Sequence, residues 1–147
     1  MPETDPKRLE ADRYDRRARA ALQAGGPVLP DGDGAGAVPP TLRKPYEVFE
    51  QQVRAAVRPG VELLDVCCGT GRYSLVGALA GGRVTAADLA ENNLVLVQRR
   101  AARAGLTIQT AAADAERLPF AAAAFDVVAC VGSLSYVELS VFVAEIR

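Results

Sequence analysis

The fold is decided by the stretch Val61-Glu62-Leu63-Leu64-Asp65-Val66-Cys67-Cys68-Gly69-Thr70-Gly71. Its apolar run is typical of a buried strand, Asp65 places a carboxylate at the end of that strand, and a turn of small residues follows. Glycines in such a turn allow positive φ and let a ligand approach the backbone closely. The stretch therefore predicts a nucleotide site between a strand and a helix.

The Asp65 carboxylate narrows the class of ligand. A dinucleotide site receives a pyrophosphate at this turn, and a carboxylate beside phosphate would be repulsive, so a cationic adenosyl ligand fits better. The segment resembles the first motif of class I S-adenosylmethionine-dependent methyltransferases, acidic-x-Gly-x-Gly-x-Gly. Cys67 stands at the first glycine position, where a small side chain is acceptable unless positive φ is required there.

Three later segments follow in the order that this family requires. A second strand ending in an acid is predicted over residues 82–89, and a third strand over residues 106–110. Residues 113–120 resemble the family's Gly-Asp-Ala-x-x-Leu-Pro-Phe loop, and residues 125–131 resemble its Phe-Asp-x-Val fourth strand. The resemblance covers roughly residues 46–147 and implies a Rossmann-like α/β fold, with a doubly wound, mostly parallel sheet in the strand order 3-2-1-4.

The same resemblance implies S-adenosyl-L-methionine as the cofactor and assigns residues to its parts. Asp65 would hold the methionine ammonium, directly or through water, and Asp88 would accept hydrogen bonds from both ribose hydroxyls. Leu89 would lie against the adenine, and Asp114 would accept from its amino group. The expected cofactor-binding residues are Asp65, Cys67, Gly69, Gly71, Asp88, Leu89, Asp114, Ala115 and Val131.

No catalytic residue is predicted, because methyl transfer chiefly requires that donor and acceptor be aligned and water excluded. The chain has no histidine, which removes the commonest proton acceptor. Tyr14, Tyr46 and Tyr136 are the remaining candidates, with packing as the alternative role of each. Tyr73 either lines the methionine pocket or packs in the core.

Metal binding and secretion are both disfavoured. Cys67 and Cys68 are adjacent and rarely form a bridge in that arrangement, and with Cys130 they do not supply the four ligands of a zinc site. Cys67 is interpreted as a backbone contact for the ligand, and Cys68 and Cys130 as small buried residues. The N-terminus lacks an apolar signal region, so a cytoplasmic protein with reduced thiols is expected.

The balance of charge argues against a nucleic-acid partner. The 17 Lys and Arg residues stand against 18 Asp and Glu residues, for a net charge of −1, which provides no strong positive field. The cluster Arg13, Arg16, Arg17 and Arg19 alternates with acids and is interpreted as a solvated helix face. A small-molecule methyl acceptor is therefore expected, without nucleic acid or membrane.

Two parts are predicted along the chain. Residues 1–45 would form an N-terminal helix over residues 7–24 and a flexible Gly/Pro-rich lid or linker, and residues 46–147 the S-adenosylmethionine-binding domain. The last helix should begin near Val137. Family members continue with a fifth strand and an antiparallel pair, so the domain is expected to be C-terminally incomplete, which leaves room for self-association or a partner chain at the open sheet edge.

Two other functions remain open. A nicotinamide-dependent oxidoreductase shares the fold and an acid near Asp88, but its Gly-x-Gly-x-x-Gly fingerprint fails at Ser74. A cofactor-binding but inactive module that serves a partner is compatible with the missing strands.

Overall fold

The computed structural model describes residues 5–25 and 40–147, apart from the side chains of Pro40 and Leu42. The predicted linker therefore lies outside the described residues except at its two ends. The elements, in chain order, are α1 (Pro6–Ala24), α2 (Pro40–Ala56), β1 (Glu62–Val66), α3 (Arg72–Leu79), β2 (Arg83–Asp88), α4 (Glu91–Arg103), β3 (Gln109–Ala112), β4 (Val127–Ala129), a 3-10 turn (Leu134–Tyr136) and α5 (Leu139–Glu145).

The four strands form one parallel sheet in the order β3-β2-β1-β4, which confirms the predicted topology. β1 is central and pairs with β2 up to Val66–Ala87 and with β4 up to Asp65–Ala129. The carboxyl ends of parallel strands meet at one edge of the sheet, where ligands of open α/β sheets bind. Asp65 and Asp88 consequently stand at the same edge.

Helices cover both faces of the sheet because the side chains of β1 alternate between two cores. Leu63 packs on one face with residues of α2, α3 and α4, including Val53, Leu75 and Val97. Leu64 packs on the other face with Phe142 of α5. This division is the doubly wound arrangement that the sequence predicts.

Helix α1 is fixed on α4. Asp15 accepts hydrogen bonds from the backbone nitrogen of Asn92 at 2.8 Å and from its Nδ2 at 2.6 Å. Ala18 is buried in the contact, and Arg99 donates to the carbonyl oxygen of Leu22 at 3.0 Å. A helix with a weak apolar face is thus held by polar contacts, and its N-terminal half extends over the carboxyl edge of the sheet.

Two element boundaries differ from the prediction. Helix α2 begins at Pro40 rather than Tyr46, since proline is favoured at the first helical position, and the boundary drawn between residues 45 and 46 falls inside it. Strand β3 covers Gln109–Ala112 rather than residues 106–110. Gly105 has a positive φ, and the nitrogen of Leu106 donates to the carbonyl of Ala101, so these residues close the end of α4.

The C-terminal part also differs. β4 is limited to Val127–Ala129, because its ladder with β1 ends at Ala129 and the chain turns at Gly132, where φ is +79°. The helix expected to begin near Val137 is α5, which starts at Leu139 and follows the 3-10 turn. Asp126 has a structural role: its Oδ2 accepts from the nitrogen of Glu62 at 2.9 Å, at the opposite rim of the sheet. In the described part of the chain, no strand pairs with the outer edge of β4. No helix described there is both long and apolar enough to cross a bilayer.

Candidate functional site

A cavity opens at the carboxyl edge of the sheet, beneath α1. All of the expected cofactor residues except Gly71 line it: Asp65, Cys67, Gly69, Asp88, Leu89, Asp114, Ala115 and Val131. They come from four segments, at the ends of β1 and β2 and after β3 and β4. The parallel topology therefore brings together residues that are far apart in the sequence.

The turn after β1 requires left-handed backbone at alternate positions. Cys67, Gly69 and Gly71 have φ of +55°, +52° and +81°. A small side chain at Cys67 is expected to fit unless positive φ is required there. Positive φ is required, and a non-glycine residue in that conformation costs about 1–2 kcal/mol. Gly69 presents bare backbone to the cavity, since a Cβ built on it would meet nothing within 4 Å.

Gly71 has a packing role. It is not among the residues that line the cavity, and a Cβ on it would lie 2.5 Å from Cγ2 of Val97 in α4. Its lack of a side chain lets the turn pack against α4. Its contact with the cofactor stays a prediction.

Asp65 is almost completely buried, with 1% of its surface exposed. Its Oδ2 accepts from Oγ of Ser74 at 2.6 Å, so the carboxylate fixes the first turn of α3 to the end of β1. Burial raises the pKa of Asp65 to about 7, against the opposing hydrogen bonds from Ser74. Because the carboxylate is enclosed, a bound ammonium fits the water-mediated alternative better than direct contact. Ser74 is not among the residues predicted from the sequence. The only indication of its role there is a polar side chain in a mostly apolar helix.

The raised pKa of Asp65 has a measurable effect on stability. Between its ordinary value near 4 and about 7, the folded protein binds more protons than the unfolded chain, so stability should fall as pH rises through this window. We expect the loss between pH 4.5 and 7.5 to be roughly 2–4 kcal/mol larger for the wild type than for Asp65→Asn. Urea unfolding of both proteins at both pH values measures this difference. Equal pH dependence in the two proteins would contradict the raised pKa.

Asp88 is positioned by the backbone on both sides. Its Oδ2 accepts from the nitrogen of Gly69 and its Oδ1 from that of Ala90, each at 2.8 Å. Burial raises its pKa, opposed by these two backbone hydrogen bonds. A carboxylate oxygen accepts more than one hydrogen bond, so both oxygens can still bind hydroxyl groups. Asn93, which also lines the cavity, was missed.

Asp114 is engaged by α1. Nζ of Lys7, in the first turn of α1, lies 3.3 Å from both oxygens of Asp114 and 2.6 Å from Oε2 of Glu116. Burial lowers the pKa of Lys7, but the hydrogen bonds that Lys7 donates to Glu116 and Asp114, with the charges of those two acids, outweigh burial and raise the pKa. Oε1 of Glu116 also accepts from the nitrogen of Glu138 at 2.6 Å. The acid expected at the adenine is thus tied to the helix above it.

Every tyrosine of the chain lines this cavity. Tyr14 of α1 lies between the guanidinium groups of Arg13 and Arg17, at 5.0 and 5.6 Å from its ring centre. Burial raises the pKa of Tyr14 and of Tyr73, so these two phenols suit hydrogen-bond donation better than proton abstraction at neutral pH. The four tyrosines are Tyr14, Tyr46, Tyr73 and Tyr136.

Tyr73 both packs and lines the cavity. Its ring stacks on Tyr46 at 6.5 Å and meets the edge of Phe49 at 6.4 Å. Its buried hydroxyl has no hydrogen-bond partner among the described residues. Within those residues, no group of three His, Cys, Asp or Glu side chains could hold a metal ion. The polar side chains that line the cavity include carboxylates and phenols, together with Asn93 and the cations Lys7, Arg17 and Arg72.

Two comparisons with known proteins concern the sequence. A family model described as a methyltransferase domain matches residues 63–147. An uncharacterised protein of Mycobacterium tuberculosis is 46% identical over 74 residues, which cover 50% of this chain and 27% of that protein. The ubiquinone/menaquinone biosynthesis C-methyltransferase UbiE of Bordetella parapertussis is 43% identical over 76 residues, which cover 50% of this chain and 30% of that enzyme. The chain thus spans less than a third of the length of these relatives.

A comparison with solved structures concerns the fold. Magnesium protoporphyrin IX methyltransferase (ChlM) from Synechocystis, solved with bound SAM, has a TM-score of 0.71 and 21% identity, over 99% of this chain and 72% of that one. This likeness shows a shared fold. The family match begins at Leu63, within β1, and includes Asp65, the glycine turn and the acids at the next two strand ends. The chain belongs to the methyltransferase-domain family.

Proposed function

We propose that this chain is the cofactor-binding region of an S-adenosyl-L-methionine-dependent methyltransferase. One observation carries the proposal: Asp65, Asp88 and Asp114, at the ends of three successive strands, line one cavity around a glycine turn. Each of these acids by itself could be an ordinary cap at the end of a strand. That role does not explain why all three converge at the edge where open α/β sheets bind ligands.

The charges and surfaces of the cavity suit this cofactor part by part. Asp65 supplies negative charge beneath the site of a sulfonium and an ammonium, and Asp88 has acceptor capacity for two ribose hydroxyls. Leu89 is 44% exposed and offers an apolar surface to a purine. A pyrophosphate would meet the same carboxylates unfavourably, which argues against a nicotinamide dinucleotide.

When bound, the cofactor supplies an electrophilic methyl group on a positively charged sulfur. The residues of this chain hold and orient it: the turn at Gly69 allows close approach, and Asp88 fixes the turn through the Gly69 nitrogen. α1, with Tyr14, covers the cavity and excludes water. Catalysis by alignment needs no general base from the four tyrosines.

The acceptor is proposed to be a small molecule, in a cytoplasmic protein without a nucleic-acid partner. The cavity between α1 and the 3-10 turn is lined by Tyr14, Tyr136 and Val137, a surface of mixed polarity that suits a small organic molecule. Support comes from the net charge of −1, which offers little attraction to a polyanion.

Calorimetric titration tests this function. We expect the protein to bind S-adenosylmethionine and S-adenosylhomocysteine and not NAD. Transfer of a labelled methyl group to a panel of small acceptors then separates an enzyme from an inactive cofactor-binding module. Binding of NAD without binding of S-adenosylmethionine would contradict the proposal.

The contact between Lys7 and Asp114 predicts a competition with the cofactor. Lys7 occupies both oxygens of the acid that is proposed to receive the adenine amino group. We expect Lys7→Met to tighten S-adenosylmethionine binding roughly two- to fivefold, since a partly exposed ion pair contributes up to about 1 kcal/mol. Titration at low and high salt should show the gain mainly at low salt.

Lys44→Met is the matched control, since Lys44 is the other lysine and is exposed on α2. It should leave the affinity unchanged. Weaker binding by Lys7→Met would mean that Lys7 instead contributes to the bound state.

A further inference from the structure

Two cysteines stand at the ends of neighbouring strands, and one of them, Cys67, lines the cavity. Cys67 follows β1 and Cys130 follows β4, and continuing the ladder beyond its last pair, Asp65–Ala129, places Cys130 opposite Val66, the residue before Cys67. Neighbouring strands lie about 4.8 Å apart and one residue advances about 3.3 Å, so this diagonal pair has a Cα separation of about 6 Å, within the range of about 4.4–6.8 Å that a disulfide spans. Both side chains pack against the core on the α5 face.

The third cysteine is separated from this pair. Cys68 is buried in the core on the opposite face, and its sulfur lies 3.7 Å from the carbonyl oxygen of Gly69. Cys67 has a left-handed backbone and stays on the α5 face after Val66 instead of alternating to the other face, so Cys67, and not Cys68, is the partner of Cys130.

The two thiols of the pair differ in reactivity. Both are only partly buried, and Cys67 lines the cavity. The closeness of the two sulfurs lowers the pKa of the Cys130 thiol and raises the pKa of Cys67, which burial raises further. Because the thiolate is the reactive form, Cys130 is the nucleophile and Cys67 the resolving thiol.

We propose that Cys67 and Cys130 are an oxidative modification site, a thiol pair that hydrogen peroxide converts to a disulfide, with Cys67 at the wall of the cofactor cavity. The Cys130 thiolate attacks one peroxide oxygen, the O–O bond breaks, and hydroxide leaves and takes up a proton to give water. The Cys67 sulfur then displaces the hydroxyl group of the sulfenic acid, which leaves as a second water. Two thiols are oxidised by two electrons, and one peroxide is reduced to two waters.

The disulfide has a consequence for the cofactor, and this step rests on the proposed function. Cys67 has a left-handed backbone and is two residues before Gly69, whose nitrogen donates to Asp88. A bond from Cys67 to Cys130 restrains that turn toward β4, away from Asp88. We expect the oxidised protein to bind S-adenosylmethionine at least about tenfold more weakly, and a reductant to restore the affinity.

Peptide mapping without reductant tests the pair. After peroxide treatment of the full chain, trypsin should release a peptide with Cys67 and Cys68 cross-linked to the peptide with Cys130, two hydrogens lighter than the sum of the reduced peptides. The cross-link should persist in Cys68→Ser and be absent in Cys67→Ser and in Cys130→Ser. Loss of the cross-link in Cys68→Ser, or its retention in Cys67→Ser, would overturn the assignment.

Titration of Cys68→Ser and Cys130→Ser, each before and after peroxide, tests the consequence. The affinity should fall in the first and stay constant in the second. A cross-linked Cys68→Ser protein with unchanged affinity would overturn the effect on the cofactor. If the reduced wild type binds no S-adenosylmethionine, the proposed function fails, while the peptide map still decides whether the disulfide forms.

Discussion

Asp88→Ala is expected to weaken S-adenosylmethionine binding by about 2–3 kcal/mol, which is roughly 30- to 150-fold. The variant removes the acceptor proposed for two ribose hydroxyls. It also removes the acceptor for the nitrogens of Gly69 and Ala90, so the glycine turn loses its tie to the end of β2. Titration calorimetry gives the affinity, and thermal unfolding gives the accompanying loss of stability.

Two control variants isolate the ligand contact from the structural one. Asp114→Ala should cost less affinity, because that acid faces one amino group. Asp126→Ala removes a carboxylate at the opposite rim, where it accepts from the Glu62 nitrogen at 2.9 Å, and should lower stability while leaving affinity unchanged. Unchanged affinity in Asp88→Ala would refute the placement of the ribose.

Gly71→Ala is expected to destabilise the fold, and Gly69→Ala to impair the ligand site. At Gly71 the new Cβ would lie 2.5 Å from Val97 in a left-handed backbone, which should cost about 2–4 kcal/mol. At Gly69 the Cβ would enter open space in the cavity, with about 1–2 kcal/mol of backbone strain. We expect Gly69→Ala to weaken S-adenosylmethionine binding at least about tenfold, and folded Gly71→Ala to stay within about threefold of the wild type.

A double-mutant cycle with Val97→Ala shows whether the Gly71 effect is steric. Removing the Val97 methyl groups should recover part of the stability lost in Gly71→Ala, with a coupling energy of about 1 kcal/mol or more. The same change should show no coupling with Gly69→Ala. Strictly additive effects at Gly71 would exclude the clash as the cause, and normal binding by Gly69→Ala would remove the turn from the ligand site.

The sheet and the gathering of acids could be predicted because their signals are local. Apolar runs that end in Asp65 and Asp88 mark buried strands and their carboxyl ends, and alternation with helices fixes the parallel order. The resemblance added the ligand and the part of it that each acid receives. Those individual contacts stay predictions, for which the cavity provides the geometry.

Other features could not be predicted because their causes are not local. Lys7 and Asp114 are 107 residues apart, and a lone lysine in the first turn of a helix gives no indication of its partner. Glycine at position 71 allows close packing against α4 and glycine at position 69 faces the open cavity, yet the two look identical in sequence. Leu106 has strand propensity, but its nitrogen is used to close α4, and β3 therefore starts later.

The short ladder between β1 and β4 has a consequence for the order of folding. Paired residues of β1 and β2 are 21 positions apart in the sequence. The start of β4 is 64 positions from the residues of β1 beside it, and those two strands pair over only three residues. Closing the longer loop, between β1 and β4, costs more entropy and forms fewer hydrogen bonds. We therefore expect β4 to dock after β1, β2 and β3 have assembled. The amides of β4 should then exchange with solvent fastest among the strands. The half of the cavity formed by Asp65, Gly69 and Asp88 would be complete while the half that contains Val131 is still forming.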